Sequence, residues 1–142
     1  MKIGAPAVPD LIVALDNDDP LARLEVIAAL GSIKDPRAAQ PLAELLEIPS
    51  KDLWDAVYRA LVRIGAAAEP ALLDALGSPD WIARWRAVHL LGRIRGPRAA
   101  EALVELLNKD RSTGVRVEIA TALGSIKDRT ACDALLDALH DW

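Results

Sequence analysis

The stretch Asp80–Ile94, DWIARWRAVHLLGRI, decides the fold. Asp80 is a residue type that caps helix N-termini, and the apolar residues recur at helical spacing, as Ala83, Ala87, Leu90, Leu91 and Ile94. The other faces carry tryptophans, arginines and a histidine, where a face that needs only solubility would normally use Glu and Lys. The stretch therefore predicts an amphipathic helix whose second face is a candidate binding surface.

The last four residues of this helix, a Leu-x-x-Ile quartet, recur along the chain. The quartets are Leu30–Ile33, Leu61–Ile64, Leu91–Ile94 and Leu123–Ile126, and their isoleucines lie 31, 30 and 32 residues apart. A further leucine follows each isoleucine after nine residues. A capping residue precedes each quartet leucine by eleven, as Asp19, Ser50, Asp80 and Ser112. Agreement at every landmark indicates an internal repeat.

Each unit is predicted to contain two helices. The first, the A helix, covers about 20–33, 51–64, 81–94 and 113–126, and the second, the B helix, covers about 36–47, 67–76, 97–107 and 129–139. A B-like segment, Val8–Leu15, comes before them. The sequence therefore predicts an all-α protein of about nine helices in one domain, 1–142, with units at about 5–18 (a half repeat), 19–49, 50–79, 80–111 and 112–142.

The core is predicted from three further positions of the A helices, eight, four and one residues before the quartet leucine. The side chains there are apolar in every repeat: Ala22, Leu53, Ala83, Val115; Val26, Val57, Ala87, Ile119; Ala29, Ala60, Leu90, Ala122. With the quartet leucines and isoleucines they form one apolar stripe on each helix. We expect the quartet leucines and isoleucines to be nearly fully buried.

Composition excludes several classes of protein. The 142 residues are 52% hydrophobic and 27% charged, which is typical of a globular domain and not of a disordered chain. The net charge of −4 gives no general attraction for nucleic acid, so nucleic acid is an unexpected partner. No apolar segment approaches the ~18 residues that suggest a membrane span, and the N-terminus makes a poor signal peptide, so a cytoplasmic location is expected.

The sequence contains few residues that could form a metal-binding or catalytic site. His89, His140 and Cys132 lie far apart in sequence and match no metal-ligand spacing, so neither a metal nor an organic cofactor is expected. Ser32 and Ser125 follow glycines but lie inside helical quartets, whereas a nucleophile elbow requires a strand, a turn and a helix. The sequence predicts that the protein is not an enzyme.

The pattern as a whole resembles HEAT-like repeats. It combines an Arg seven residues before the quartet leucine (Arg23, Arg84 and Arg116), Leu-Gly-x-Ile, Asp35-Pro36 and a Leu-rich second helix. It is similar to the short repeats of phycobilisome lyases, prokaryotic scaffold proteins and designed helical scaffolds, over residues 5–140. The resemblance implies a right-handed α-solenoid of about four to five two-helix repeats. Repeat two departs from the pattern with Trp54 and Val62, so a different packing is expected there.

The resemblance also implies which columns line the concave inner face. In this sequence these columns vary between repeats and concentrate Trp and Arg in the middle of the chain, which favours a binding surface. The predicted partner-binding residues are Trp85, Arg86, His89, Arg93, Arg59, Arg63, Ile82, Leu24 and Val117. We expect a protein or peptide partner with acidic and apolar residues; the alternative for Trp85 is packing against a neighbouring helix.

Three functions remain open at this point. The first is a non-enzymatic protein–protein interaction scaffold that uses the concave face. The second is a structural or assembly segment of a larger solenoid, or self-association through the solenoid ends. The third, implied by the resemblance alone, is an accessory subunit of a lyase-type enzyme. The repeated arginines Arg23, Arg84 and Arg116 are expected to be structural, bridging repeats through carboxylates such as Asp19 or Asp80, or through helix carbonyls.

Overall fold

A computed structural model describes residues 8–16 and 18–126. The chain divides into two compact units, Met1–Ala71 and Leu72–Trp142. The first unit contains α1 (Val8–Ala14), α2 (Pro20–Ile33), α3 (Ala39–Glu44) and α4 (Lys51–Ile64), and the second contains α6 (Trp81–Ile94), α7 (Ala99–Lys109) and α8 (Thr113–Ile126). The helix α5 (Glu69–Ala75) spans the boundary between them. Every regular element in the described ranges is helical, as predicted.

The predicted A helices are confirmed almost to the residue. They are α2, α4, α6 and α8, and each begins after its predicted cap. The Asp19 side chain accepts a hydrogen bond from the Leu21 amide at 3.1 Å, and the Asp80 side chain accepts one from the Ile82 amide at 3.1 Å. Ser50 and Ser112 cap α4 and α8 through their hydroxyls. These bonds satisfy amides that a helix N-terminus leaves without a partner.

Two B helices are shorter or less regular than predicted, whereas α7 has the predicted length and lies two residues further along the chain. The 36–47 segment consists of α3 between two 3-10 turns, Pro36–Ala38 and Leu45–Glu47, and α5 follows a third turn, Gly65–Ala68. Asp35 caps the first of these turns by accepting from the Arg37 amide at 2.9 Å. The ninth predicted helix, 129–139, lies outside the described residues. None of the helices between residues 8 and 126 is long and apolar enough to cross a membrane.

The quartet leucines form the centre of the core, as predicted. Leu30, Leu61 and Leu91 are 0% exposed and Leu123 is 1% exposed. The prediction for the isoleucines is wrong at three positions: Ile64 is buried, but Ile33, Ile94 and Ile126 are only half-buried. Ile33 and Ile94 end their helices directly before a left-handed residue, Lys34 or Arg95, where the chain leaves the helix direction and less of the neighbouring helix remains to cover them. A Leu→Ala change in a quartet should cost about 2–5 kcal/mol.

Close approach between consecutive A helices occurs at the quartet glycines. Within the first unit, α2 packs on α4, and within the second, α6 packs on α8. A Cβ added to Gly31 would lie 2.8 Å from Ala60 Cα, and one added to Gly92 would lie 2.8 Å from Ala122 Cβ. No side chain larger than hydrogen fits there without moving a helix. The glycines therefore set the helix spacing, and that spacing determines the groove described next.

Candidate functional site

The predicted binding residues fall in both compact units. Leu24, Arg59 and Arg63 belong to the first unit, and the other six belong to the second, namely Ile82, Trp85, Arg86, His89, Arg93 and Val117. We describe each group within its own unit.

In the first unit, the structure brings all three predicted residues to one groove between α2 and α4. The groove has a volume of about 440 Å³. Leu24, Ala28 and Gly31 of α2 contribute its apolar side, and Arg59 and Arg63 of α4 lie on its other side. Both arginines are exposed. Arg63 Nη1 donates a hydrogen bond to Ser32 Oγ over 3.4 Å, so it reaches back toward α2.

Two residues of this groove are absent from the predicted partner-binding set. Asp52 and Asp55 of α4 line it together with the arginines, and both are exposed. The signal was present in the sequence, since positions 52, 55, 59 and 63 follow helical spacing along a single line of α4.

In the second unit, Trp85 and His89 of α6 form a connected group with Glu118 of α8. The Trp85 and His89 rings stack with centroids 5.2 Å apart and an interplanar angle of 5°. His89 Nδ1 lies 2.8 Å from Glu118 Oε1, to which it donates a hydrogen bond. Because a carboxylate only accepts, this contact places the proton on Nδ1 and fixes the imidazole plane against the indole. Glu118 is thus a positioning residue that sequence reasoning did not identify.

The remaining residues of the second unit differ in their exposure. Trp85, Ile82 and Arg86 are half-buried, Arg93 is exposed, and Val117 is 60% exposed. Burial lowers the pKa of Arg86 from its usual range, and the negative charge of Asp80 acts in the opposite direction. Pairing with a carboxylate is more favourable in free energy for a partly desolvated guanidinium than for a fully hydrated one. A half-buried Trp85 is compatible with the predicted binding role and with the alternative, packing against a neighbouring helix.

The structural role predicted for the repeated arginines is confirmed for two of them, with a different carboxylate partner. Arg84 binds Asp110 through two bonds, Nε to Oδ2 at 2.8 Å and Nη2 to Oδ1 at 3.3 Å, and Asp80 takes no part in them. Arg84 Nη1 also donates to the Ser78 carbonyl at 2.9 Å. Arg116 Nη1 donates to the Leu107 carbonyl at 2.7 Å. Both arginines therefore hold the loop before α8.

Arg23 differs from its two counterparts. Its Nε is buried and has no hydrogen-bond partner in the described part of the chain. Asp110 stands two residues before the cap Ser112, and the residue two before the cap Ser50 is Ile48. The first repeat therefore has no carboxylate at the position that satisfies Arg84.

Metal-binding side chains do not cluster in the described part of the chain. No group of three or more His, Cys, Asp or Glu side chains in that range could hold a metal ion. Cys132 and His140 lie outside the described residues.

In repeat two, the Trp54 that replaces the repeated arginine packs edge-to-face on Tyr58, with ring centroids 5.5 Å apart.

Comparison with known proteins places the repeats in a family. The family model for HEAT repeats matches residues 2–62, 48–120 and 69–142, which overlap and cover nearly the whole chain. A crystal structure of an engineered protein superposes over 92% of this chain and 67% of its own, with a TM-score of 0.53 and 24% identity. That likeness concerns the fold alone, and it agrees with the α-solenoid class predicted from the repeats.

Three curated proteins are similar in sequence. The bilin biosynthesis protein PecE of Mastigocladus laminosus is 33% identical over 93% of this chain and 50% of its own length. Deoxyhypusine hydroxylase-B of Oryza sativa subsp. japonica is 35% identical over 72% of this chain and 35% of its own, and the bilin biosynthesis protein RpcF of Synechococcus sp. (strain WH8020) is 29% identical over 62% and 47%. The chain spans half or less of the length of these relatives. On the matches to the family model, the chain belongs to the HEAT-repeat family.

Proposed function

We propose that the chain is a non-enzymatic protein-binding module whose inner A-helix face takes up an acidic, partly apolar protein segment. One observation carries the proposal: the predicted core columns are buried in α4, α6 and α8 and half-buried in α2, while the inner columns keep cationic and apolar side chains accessible. Leu21 is 72% exposed and Val117 is 60% exposed. Arg59 and Arg93 are exposed and form no ion pair within the described part of the chain.

Each side chain has a distinct part in this proposal. Trp85 offers its indole as the apolar anchor, because a large aromatic ring buries much area for few rotatable bonds. The His89–Glu118 hydrogen bond holds the stacked ring in place before the partner arrives, which lowers the entropic cost of binding. Arg86 and Arg93 pair with carboxylates of the partner in the second unit, and Arg59 and Arg63 offer the same counter-charge within the first unit.

The non-enzymatic part of the proposal rests on the chemistry that the residues offer. The similarity to a hydroxylase extends over 35% of that protein only, and this sequence has no His-Glu dipeptide, the motif expected of the iron-binding hydroxylase with this repeat architecture. The described residues contain no metal-ligand cluster. The arginine and tryptophan side chains of the inner face recognise groups and supply no general base.

Binding of synthetic peptides tests the proposal. A peptide array of nine-residue sequences that combine Leu with either Glu or Lys would be probed with the labelled protein, and the best binders measured by calorimetry. We expect Glu/Leu peptides to bind and Lys/Leu peptides not to bind. Arg93→Glu should weaken binding at least tenfold. Arg95→Glu, the same charge change two residues away and beyond the end of α6, should change it less than twofold.

Two results would contradict the proposal. One is equal binding of Glu/Leu and Lys/Leu peptides, which would indicate nonspecific apolar adhesion. The other is an equal effect of the two arginine reversals, which would indicate a response to net charge and not to the inner face.

A second function, an accessory role in bilin biosynthesis, is favoured by the identity of 33% with the PecE protein over nearly the whole chain. Bilins are linear tetrapyrroles with propionate side chains, so the same arginines offer a counter-charge for them. Mixing the protein with a free bilin and recording absorbance and circular dichroism tests this role. A shifted band with induced dichroism that Arg93→Glu abolishes would favour bilin binding, and an unchanged spectrum would contradict it.

A further inference from the structure

The groove between α2 and α4 in the first unit carries charges of both signs in a fixed order. Asp52 and Asp55 lie toward the N-terminus of α4, and Arg59 and Arg63 lie toward its C-terminus, all on the same groove wall. The opposite wall, on α2, is uncharged along Leu24, Ala28 and Gly31. A ligand in this groove therefore meets an apolar side and a charged side that changes sign along its length.

Helix stability explains only the two outer charges of this line. Asp52 lies in the first turn of α4 and Arg63 in the last turn, where each interacts favourably with the helix dipole. Asp55 and Arg59 lie further inside the helix, where the dipole effect has fallen off. The two inner charges therefore need another explanation.

The inner pair does not neutralise itself. Asp55 and Arg59 are spaced i,i+4 with the acid first, which is the favourable order for an ion pair on a helix. Yet no ion pair within 4.0 Å joins them, and none involves either residue in the described part of the chain. Both charges are exposed on the groove wall and available to a ligand.

We infer that this groove binds an extended peptide segment with a basic residue opposite Asp52 and Asp55 and an acidic residue opposite Arg59 and Arg63. The inference rests on the proposed function and adds a basic residue at one end of the acidic, apolar segment. The midpoints of the two charge pairs are about 11 Å apart along the helix at ~1.5 Å per residue. An extended chain covers that distance in three to four residues at ~3.3 Å each.

Length favours an extended chain over a helix. A helix rises ~5.4 Å per turn and needs about two turns to span the ~11 Å between the two charge pairs. An extended chain spans the same distance with three to four residues. An extended segment reaches both pairs and places its intervening apolar side chains against Leu24 and Ala28.

The test uses four capped pentapeptides with a common apolar centre: acetyl-Lys-Leu-Ala-Leu-Glu-amide and its Glu/Glu, Lys/Lys and Gln/Gln versions. Binding to the full chain is followed by the shifts of the amide signals of Ala28, Gly31 and Ala56. We expect the Lys/Glu peptide to bind the parent chain at least fivefold more tightly than the other three. Asp55→Lys should transfer the preference to the Glu/Glu peptide, and Arg59→Glu should transfer it to the Lys/Lys peptide.

Matched controls have the same charge changes on exposed residues outside the groove. Glu44→Lys on α3 and Lys51→Glu at the start of α4 should leave the order of peptide affinities unchanged. The inference is overturned if the Lys/Glu peptide does not bind at millimolar concentration, if the Glu/Glu peptide binds the parent chain better, or if the groove variants keep the parent preference. The proposed function fails separately, if Glu/Leu nonapeptides lose no affinity on Arg93→Glu while the groove still selects Lys/Glu.

Discussion

Replacing Gly92 with alanine tests whether the quartet glycine sets the spacing between A helices. The added Cβ would lie 2.8 Å from Ala122 Cβ and 3.0 Å from Ala122 Cα. Carbon atoms in ordinary contact are about 3.5–4.0 Å apart, so α6 and α8 would have to separate by roughly 1 Å. Overpacking of this kind costs about 1–3 kcal/mol, and alanine recovers about 1 kcal/mol of helix propensity. We expect a net loss of up to about 2 kcal/mol.

Gly124 provides the matched control for this substitution. It occupies the same quartet position in α8 and is exposed, and no atom of residues 8–16 or 18–126 lies within 4 Å of an added Cβ. Gly124→Ala should therefore gain about 0.5–1 kcal/mol from helix propensity alone. Urea unfolding followed by circular dichroism at 222 nm measures both changes, and a constant denaturant slope would show that the unfolded reference is unchanged. Equal effects of the two substitutions would refute the role assigned to Gly92.

Three further predictions concern polar contacts and helix ends. Asp110→Ala should lower the free energy of unfolding by about 3–5 kcal/mol in urea, because it leaves the mostly buried Arg84 without its carboxylate; a loss below 1 kcal/mol would contradict this. Arg95→Gly should raise the melting temperature, because Arg95 follows the last residue of α6 with a φ of 59°. A non-glycine residue costs about 1–2 kcal/mol in that conformation. An unchanged or lower melting temperature would count against this strain. Arg37→Ala should raise the carboxyl pKa of Asp35 in an NMR titration, since hydrogen bonds from Arg37 hold that pKa below its usual range. The stabilisation from this pair is present above the unfolded-state pKa of about 3.9 and is lost as the pH falls through the lower folded-state pKa, so the two proteins should converge in stability in acid.

The sequence predicts the A helices and their core because several independent signals coincide there. The quartet leucines, the caps and the apolar period all specify the same register, and the four leucines are 0–1% exposed. The core prediction was wrong for Ala22, Val26 and Ala29 of α2, which are only half-buried. The predicted stripe was also too narrow, since Ile27 and Val88 are fully buried. These two residues lie three positions before the quartet leucine, where repeat two has Tyr58. When the residues at one repeat position are polar in one repeat and apolar in another, the pattern of a single sequence does not predict that the position is buried.

The B helices and the polar partners were less predictable for physical reasons. Proline and alanine in the 36–47 segment are compatible with both α and 3-10 geometry, so local composition does not choose between them. The partner of Arg84 is Asp110, 26 positions away, whereas the prediction took the nearest carboxylate, Asp80. Pairing at that distance depends on how α6 and the loop before α8 pack, and the i,i+4 rule provides no information about it.

The sequence predicted the arginines of the candidate site but did not include its acidic residues. Arg59 and Arg63 line a groove in the first unit, but Asp52 and Asp55 line it as well. In the second unit, His89 is bonded to Glu118, so its role in the proposal changes from a ligand-binding group to a support for Trp85. The variable columns of the A helices show which residues depart from the repeat. Only the side-chain contacts distinguish residues that can face a ligand from residues that support a neighbouring side chain.

Truncation of Trp85 is the measurement that tests the central claim most directly. The affinity of the best Glu/Leu peptide would be measured for the parent chain and for Trp85→Ala, well below the melting temperature of both. Trp81→Ala is the control, since Trp81 is a 50% exposed tryptophan on the same helix that lies outside the predicted binding set. We predict that Trp85→Ala weakens binding at least thirtyfold, about 2 kcal/mol, and that Trp81→Ala weakens it less than twofold. Unchanged affinity in Trp85→Ala, with only a lower melting temperature, would show that Trp85 is a packing residue and contradict the account.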